Sequence, residues 1–110
     1  MRDHGAALLS DIQSIFALDE AQLASLFGVD SETIAQWRTQ DIPVDRRVAV
    51  QDVHELAQLY ARKFRPERIG DIVRTPARGL GGKSVLDVIA TSGTEPVFHH
   101  LHELFSYQST

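Results

Sequence analysis

His99, His100 and His102, followed by Glu103, form the one tight cluster of metal-capable side chains in this chain of 110 residues. On a helix His99 and His102 lie one turn apart, and His99 and Glu103 are also neighbours. A catalytic zinc needs three protein ligands, two from one turn do not suffice, and the sequence places no obvious third elsewhere. The pattern points away from a metal and toward a surface or interface role, with a charge that changes between roughly pH 5 and 8. A second feature, Arg78-Gly-Leu-Gly-Gly-Lys-Ser84, has Gly, Lys and Ser in the order of a phosphate-binding loop. Ala77 stands where the first glycine of that motif belongs and no strand precedes it, so no nucleotide site is expected. There is no cysteine, no serine in a nucleophile elbow and no carboxylate pair assignable to an apolar pocket. Neither catalytic residues nor a cofactor are expected, and the chain is not read as an enzyme.

The stretch from Asp19 to Gln40 speaks instead of recognition. Gly28, four residues after Ala24, can take the left-handed conformation that a tight interhelical turn requires, and Val29 follows as an apolar plug. Leu23, Ala24 and Phe27 on one helix then face Ile34 and Trp37, three apart on the next. Ala24 is small where the two helices must approach most closely. This is the pattern of a helix-turn-helix. Ser31, Glu32, Thr33, Gln36, Arg38, Thr39 and Gln40 make up the face that a DNA-reading helix places in the major groove. Such pairs also serve as plain packing units. Charge keeps both readings open, because residues 1 to 30 set Arg2 against Asp3, Asp11, Asp19, Glu20 and Asp30, and the second helix offers only Arg38 against Glu32. Lys and Arg supply most non-specific DNA affinity by neutralising phosphates. Arg46 and Arg47 just beyond could add to the contact, and a dimer would double it.

Length allows one compact domain or two small helical lobes sharing a core, and a chain of this size buries about 65% of its unfolded surface. Without cysteine, disulfides and thiolate metal sites are excluded. The first residues lead into an amphipathic segment and no stretch approaches a membrane span, so a cytoplasmic protein is expected. A formal net charge of -4 argues against a protein that coats nucleic acid indiscriminately. It leaves room for a local basic face. Arg62, Lys63, Arg65, Arg68, Arg74 and Arg78 stand against Glu67 and Asp71 in such a segment. Part of that segment is the last turn of a long helix, where cations complement the dipole.

The elements follow from periodicity and punctuation. Leu8, Leu9, Ile12, Ile15 and Phe16 predict a helix over about 6–17. Asp19 with Gln22 starts the next, and Asp30 caps a third that fades at Gln40-Asp41 before Pro43. Val50, Val53, Leu56, Ala57, Tyr60 and Phe64 keep one face of a long central helix from Val44, and Pro66 and Pro76 bracket a shorter one. Residues 75–83, with three glycines and a proline, are read as a loop without regular structure. Ser84 then caps a short apolar helix with Asp87 in its first turn, and Thr94 caps a last one with Val97, Phe98, Leu101, Leu104 and Phe105 as its stripe. Ser106 to Thr110 lack a periodic pattern. The class is all-α, organised as a helix-turn-helix lobe over 1–43, central helices over 44–74 and a C-terminal lobe with a tail over 75–110.

The run Leu80-Gly-Gly-Lys-Ser-Val-Leu-Asp-Val-Ile-Ala-Thr-Ser-Gly-Thr-Glu-Pro-Val97, followed by a short closing helix, resembles the toxin-binding domain of Xre/MbcA/ParS antitoxins. Leu80, Gly82, Ser84, Leu86, Thr91, Gly93 and Val97 carry the match. Val85 stands for the usual proline, and Ile72-Val73 for the usual Trp-Leu before the loop. Those proteins place an Xre-like helix-turn-helix in front, so the resemblance covers nearly the whole chain, and the short length and closing tail are most like mycobacterial members. It implies the antitoxin of a type II toxin-antitoxin system, inhibiting a RES-domain toxin that degrades NAD and repressing their shared operon. The partners so implied are the cognate toxin and operator DNA, with the chain a homodimer inside a larger hetero-oligomer and no membrane involved. Toxin contacts are expected at Leu80, Gly82, Lys83, His99 and His102, and at Tyr107, Gln108, Ser109 and Thr110. That tail is read as covering the NAD pocket, with Tyr107 as aromatic anchor and its hydroxyls on groups that hold ribose and phosphate. The alternatives are a frayed terminus and, for the whole chain, a stand-alone repressor whose C-terminal helices only dimerise.

Overall fold

Short polar residues start three of the helices. Asp19 accepts from the Gln22 backbone N–H at 2.7 Å while the Gln22 side chain accepts from the Asp19 N–H at 3.0 Å, a reciprocal capping box. Asp30 accepts from the Thr33 N–H at 2.9 Å, and Ser84 from the Asp87 N–H at 3.1 Å. The Thr33 hydroxyl also donates to Asp30, and together with the Thr33 backbone N–H it holds that carboxyl below its ordinary range.

The computed structural model describes the backbone of residues 4–108 and the side chains of residues 5–105. Among them are seven α-helices: α1 (His4–Phe16), α2 (Glu20–Leu26), α3 (Ser31–Thr39), α4 (Val44–Lys63), α5 (Pro66–Arg74), α6 (Val85–Ser92) and α7 (Glu95–Gln108). The fold is all-α, and none of these helices is long and apolar enough to cross a membrane.

The long helix α4 turns Val50, Val53, Leu56, Ala57 and Tyr60 inward. Against it α1 lays Leu9, Ile12 and Phe16, all fully buried, and α1 also touches α3 and α5. Ile69 and Val73 of α5, Val85, Val88 and Ile89 of α6, and Val97 and Leu101 of α7 complete the core. Each such side chain contributes about 1.5–3 kcal/mol when fully buried. The buried residues form one connected cluster from Leu8 to Leu101, so a shared core runs through the segments 1–43, 44–74 and 75–110. A string of aromatics threads it. Phe16 meets Tyr60 edge-on at 5.6 Å, Tyr60 stacks on Phe64 at 5.2 Å, and Phe64 meets Phe105 at 5.7 Å, tying α1 through α4 to the last helix.

Two connections rest on left-handed residues. Gly28, at φ +68, turns α2 into α3, and Phe27 and Trp37 close the pair edge-on at 6.0 Å. Ala17, at φ +58, ends α1, a conformation that disfavours a residue with a Cβ. Arg74 of α5 fastens that end, donating to the carbonyls of Phe16 at 3.2 Å, Ala17 at 2.6 Å and Gly70 at 2.9 Å, and to the Gln22 side chain at 3.0 Å. A guanidinium there also complements the negative end of the α1 dipole.

Three sequence expectations change. The 75–83 loop holds a 3-10 turn at Arg78–Leu80 and an antiparallel bridge between Ala77 and Lys83, because Gly81 and Gly82 take left-handed φ and let it fold back on itself. Leu104, expected in the apolar stripe, is 43% exposed, since it lies on the flank of a helix that turns Val97 and Leu101 inward. The last helix also runs past Phe105 to Gln108, so the unpatterned end begins later than its polarity suggests.

Candidate functional site

The α3 surface is polar and exposed at Ser31, Glu32, Gln36, Thr39 and Gln40, with Thr33 half-buried and bonded to Asp30. Its single cation faces elsewhere. Arg38 reaches back over α1 and α2, where Nη2 donates to Glu20 at 3.1 Å and to Gln13 at 2.6 Å, Nε to Glu20 at 3.3 Å, and Nη1 to Ser10 at 3.3 Å. Arg46 donates to the Phe27 carbonyl at 3.0 Å, at the end of α2, and Arg47 to the Ile42 carbonyl at 3.1 Å. Arg38 is therefore held by internal partners, whereas Arg46 and the exposed Arg47 each give one bond to a neutral carbonyl that leaves their charge uncompensated. What the α3 surface presents in charge is Glu32, with exposed Asp30 and Asp41 at its ends.

The C-terminal residues come together differently. Leu80 is buried under the 3-10 turn, so it seats the loop from inside and offers a partner nothing at the surface. Gly82 and Lys83 are exposed on the returning limb, where the Ala77 N–H donates to the Lys83 carbonyl at 3.2 Å. The turn lies against α7 at Gly79, where an added Cβ would fall 2.6 Å from Cε1 of His100. A side chain there would have to displace the His100 ring. On α7, His99 and His102 are exposed, and His99 Nε2 stands 3.4 Å from Glu103 in a pair whose side chains are 71% and 62% exposed. A pair so open to water contributes little to stability. Leu104 follows His100 by one helical turn on the same flank. Phe105 packs on Phe64, and Lys63 Nζ stands 5.0 Å from its ring centroid. Tyr107 and Gln108 have helical backbone; their side chains, with Ser109 and Thr110, lie outside the described residues.

Two shallow clefts flank α6. One of about 240 Å³ lies between α2, α4 and α6, with Leu26, Phe27, Val53 and Ile89 beneath Arg46 and Asp52. The other, about 290 Å³, lies between α2 and α6 and carries Asp19, Gln22 and Asp87 at its rim. Neither sets a nucleophile beside a base. No group of three or more His, Asp or Glu able to hold a metal is found among the described residues, and Ser84, the one buried polar side chain there, serves as the α6 cap.

Sequence reasoning missed the internal use of Arg38, Arg46, Arg47 and Arg74 and the exposure of Leu104. A carboxylate on α2 opposite a lone arginine on α3 was the available signal for Arg38. Comparisons with protein-family models, with curated proteins and with solved structures gave no match.

Proposed function

We propose that this chain is the antitoxin of a type II toxin-antitoxin pair, a cytoplasmic protein that binds a RES-domain, NAD-degrading toxin and blocks it by occupancy, performing no chemistry itself. The seat of α7 carries this reading. Val97 and Leu101 are buried and Phe105 is wedged against Phe64 and Lys63, so α7 is anchored through Phe105 while its outer side leaves His99, His102, Glu103 and Leu104 exposed. An anchored helix with an unoccupied flank gives a partner a rigid surface at low entropic cost. The residues from Ser106 to Thr110 continue from that anchor, and their insertion into the toxin's NAD pocket is the proposed block.

The resemblance between Leu80 and Val97 names the partner class, and the charge of the α3 side favours it over the stand-alone repressor. Arg38, the one cation of α3, is held by Glu20 and Gln13, which leaves only Arg46 and Arg47 at the start of α4, each bonded to a carbonyl, to meet a phosphate backbone on this side. A homodimer within a larger hetero-oligomer is the expected assembly.

The test is NAD consumption by the RES toxin encoded beside this gene, in the presence of phosphate. The full chain stops NAD loss, and Leu104→Glu weakens binding at least tenfold because it puts a charge on the docking flank. A chain that neither binds the toxin nor slows NAD loss removes this reading and restores the repressor.

A further inference from the structure

Arg62, Lys63, Arg65 and Arg68 are all exposed at the corner where α4 passes into α5, with Glu67 among them and exposed Asp71 one turn beyond Arg68. Two have a local reason to be there. Arg62 and Lys63 occupy the last turn of α4 and complement its negative end, and Lys63 also lies over Phe105. The other two are on the wrong end of a dipole. Arg65 is the N-cap of α5 and Arg68 sits in its first turn, where the helix is positive and a cation is disfavoured. Nor do they gain a side-chain partner in exchange. Among the described residues no side-chain hydrogen bond or ion pair engages the Arg62, Arg65 or Arg68 guanidinium. Arg38, Arg46, Arg47 and Arg74, by contrast, each donate to a carbonyl, carboxylate or amide oxygen.

We infer that this corner binds the phosphate backbone of a nucleic acid, and that DNA contact by this chain is made here and not by α3. Phosphates set against the corner would neutralise four clustered cations and relieve the repulsion between Arg65, Arg68 and the α5 dipole. The occupant is a nucleic acid and not an acidic protein because the corner lacks an apolar centre. Phe64 is half-buried and Ile69 fully buried, Val44 and Val48 lie at the other end of α4, and Leu104, next to the Phe105 ring that Lys63 covers, stands at the corner's edge and not at its centre. Protein interfaces are built around such anchors, whereas backbone contacts to nucleic acid need cations alone. The corner meets α7 through Lys63 over Phe105, so the variant that tests it leaves Lys63 in place.

The experiment is anisotropy of a labelled random-sequence duplex titrated with the full chain at about 50 and about 200 mM salt. With four phosphates neutralised, log K falls with log salt at a slope of about -3.6, roughly a 150-fold loss of affinity over that span. The triple variant Arg62→Ala/Arg65→Ala/Arg68→Ala brings the slope to about -1 and leaves the melting temperature and toxin inhibition unchanged. Gln36→Ala/Thr39→Ala on α3 binds the duplex like the parent chain. The inference is overturned if the full chain shows no binding at the lower salt. It is equally overturned if the α3 variant loses binding while the triple variant keeps it, or if the triple variant loses the toxin and keeps the DNA.

Discussion

Arg38→Ala deletes a guanidinium that joins α3 to both α1 and α2. The pair with Glu20 at 3.1 Å has side chains 25% and 43% exposed, so water screens it. Such a pair is worth about 0.5 kcal/mol. The bond to Gln13 at 2.6 Å is charge-assisted and partly buried. It adds about 1 kcal/mol, and the packing of the arginine stem adds about 0.5 more. The expected loss is therefore about 2 kcal/mol, or a melting temperature lower by about 8 °C for a domain of this size. Thermal unfolding followed by circular dichroism reads the stability, and duplex anisotropy on the same samples reads DNA affinity. A double-mutant cycle with Glu20→Gln should return a coupling of about 0.5 kcal/mol for that pair. DNA affinity should not change. An Arg38→Ala protein that melts with the parent and binds duplex more weakly would refute the reasoning, because it would mean that the guanidinium faces outward.

Further outcomes follow from single residues. Gly28→Ala, at φ +68 with nothing within 4 Å, meets no clash and pays only for the left-handed backbone, about 1 kcal/mol by urea unfolding. Ala17→Gly, at φ +58, goes the other way and raises stability by about 0.5 kcal/mol on the same assay. Gly79→Ala makes the half-buried His100 ring swing aside and lowers stability by at most about 1 kcal/mol, and adding His100→Ala restores most of it. Burial raises the Tyr60 phenol from 10.0 to about 12. The folded state thus holds that proton more tightly than the unfolded chain. Stability is fully present below about pH 10 and falls through pH 12, by about 2–3 kcal/mol, a loss that Tyr60→Phe should reduce in urea midpoints.

The parts of the fold that sequence made legible are local ones. Asp19, Asp30 and Ser84 bond to N–H groups three residues on, and Gly28 sets its own turn, so residue type and short spacing suffice. The inward face of α4 follows from one period. What escaped notice depends on packing between distant segments. Arg38 is bound to a carboxylate 18 residues away, for which Glu20 on the facing helix was the one signal, and Arg74 to a carbonyl 58 residues away, which nothing local distinguishes from a solvated surface arginine. Leu104 obeys the helical period yet stays open, because periodicity places it on a flank without saying whether another element covers that flank. The extension of α7 to Gln108 was hidden for a different reason, since a formed helix propagates through polar residues that add no apolar stripe. Of the proposed site, the outward position of His99 and His102 was readable, whereas the close approach of Gly79 to His100 was not.

The most direct measurement compares the full chain with a version ending at Phe105, in parallel assays of toxin binding and of NAD consumption by the RES toxin. The expected result is that both bind, because α7 is anchored through Phe105, and that only the full chain stops NAD loss. Equal inhibition by the two chains would contradict occlusion by residues 106–110, and absence of binding by either would contradict the antitoxin reading itself.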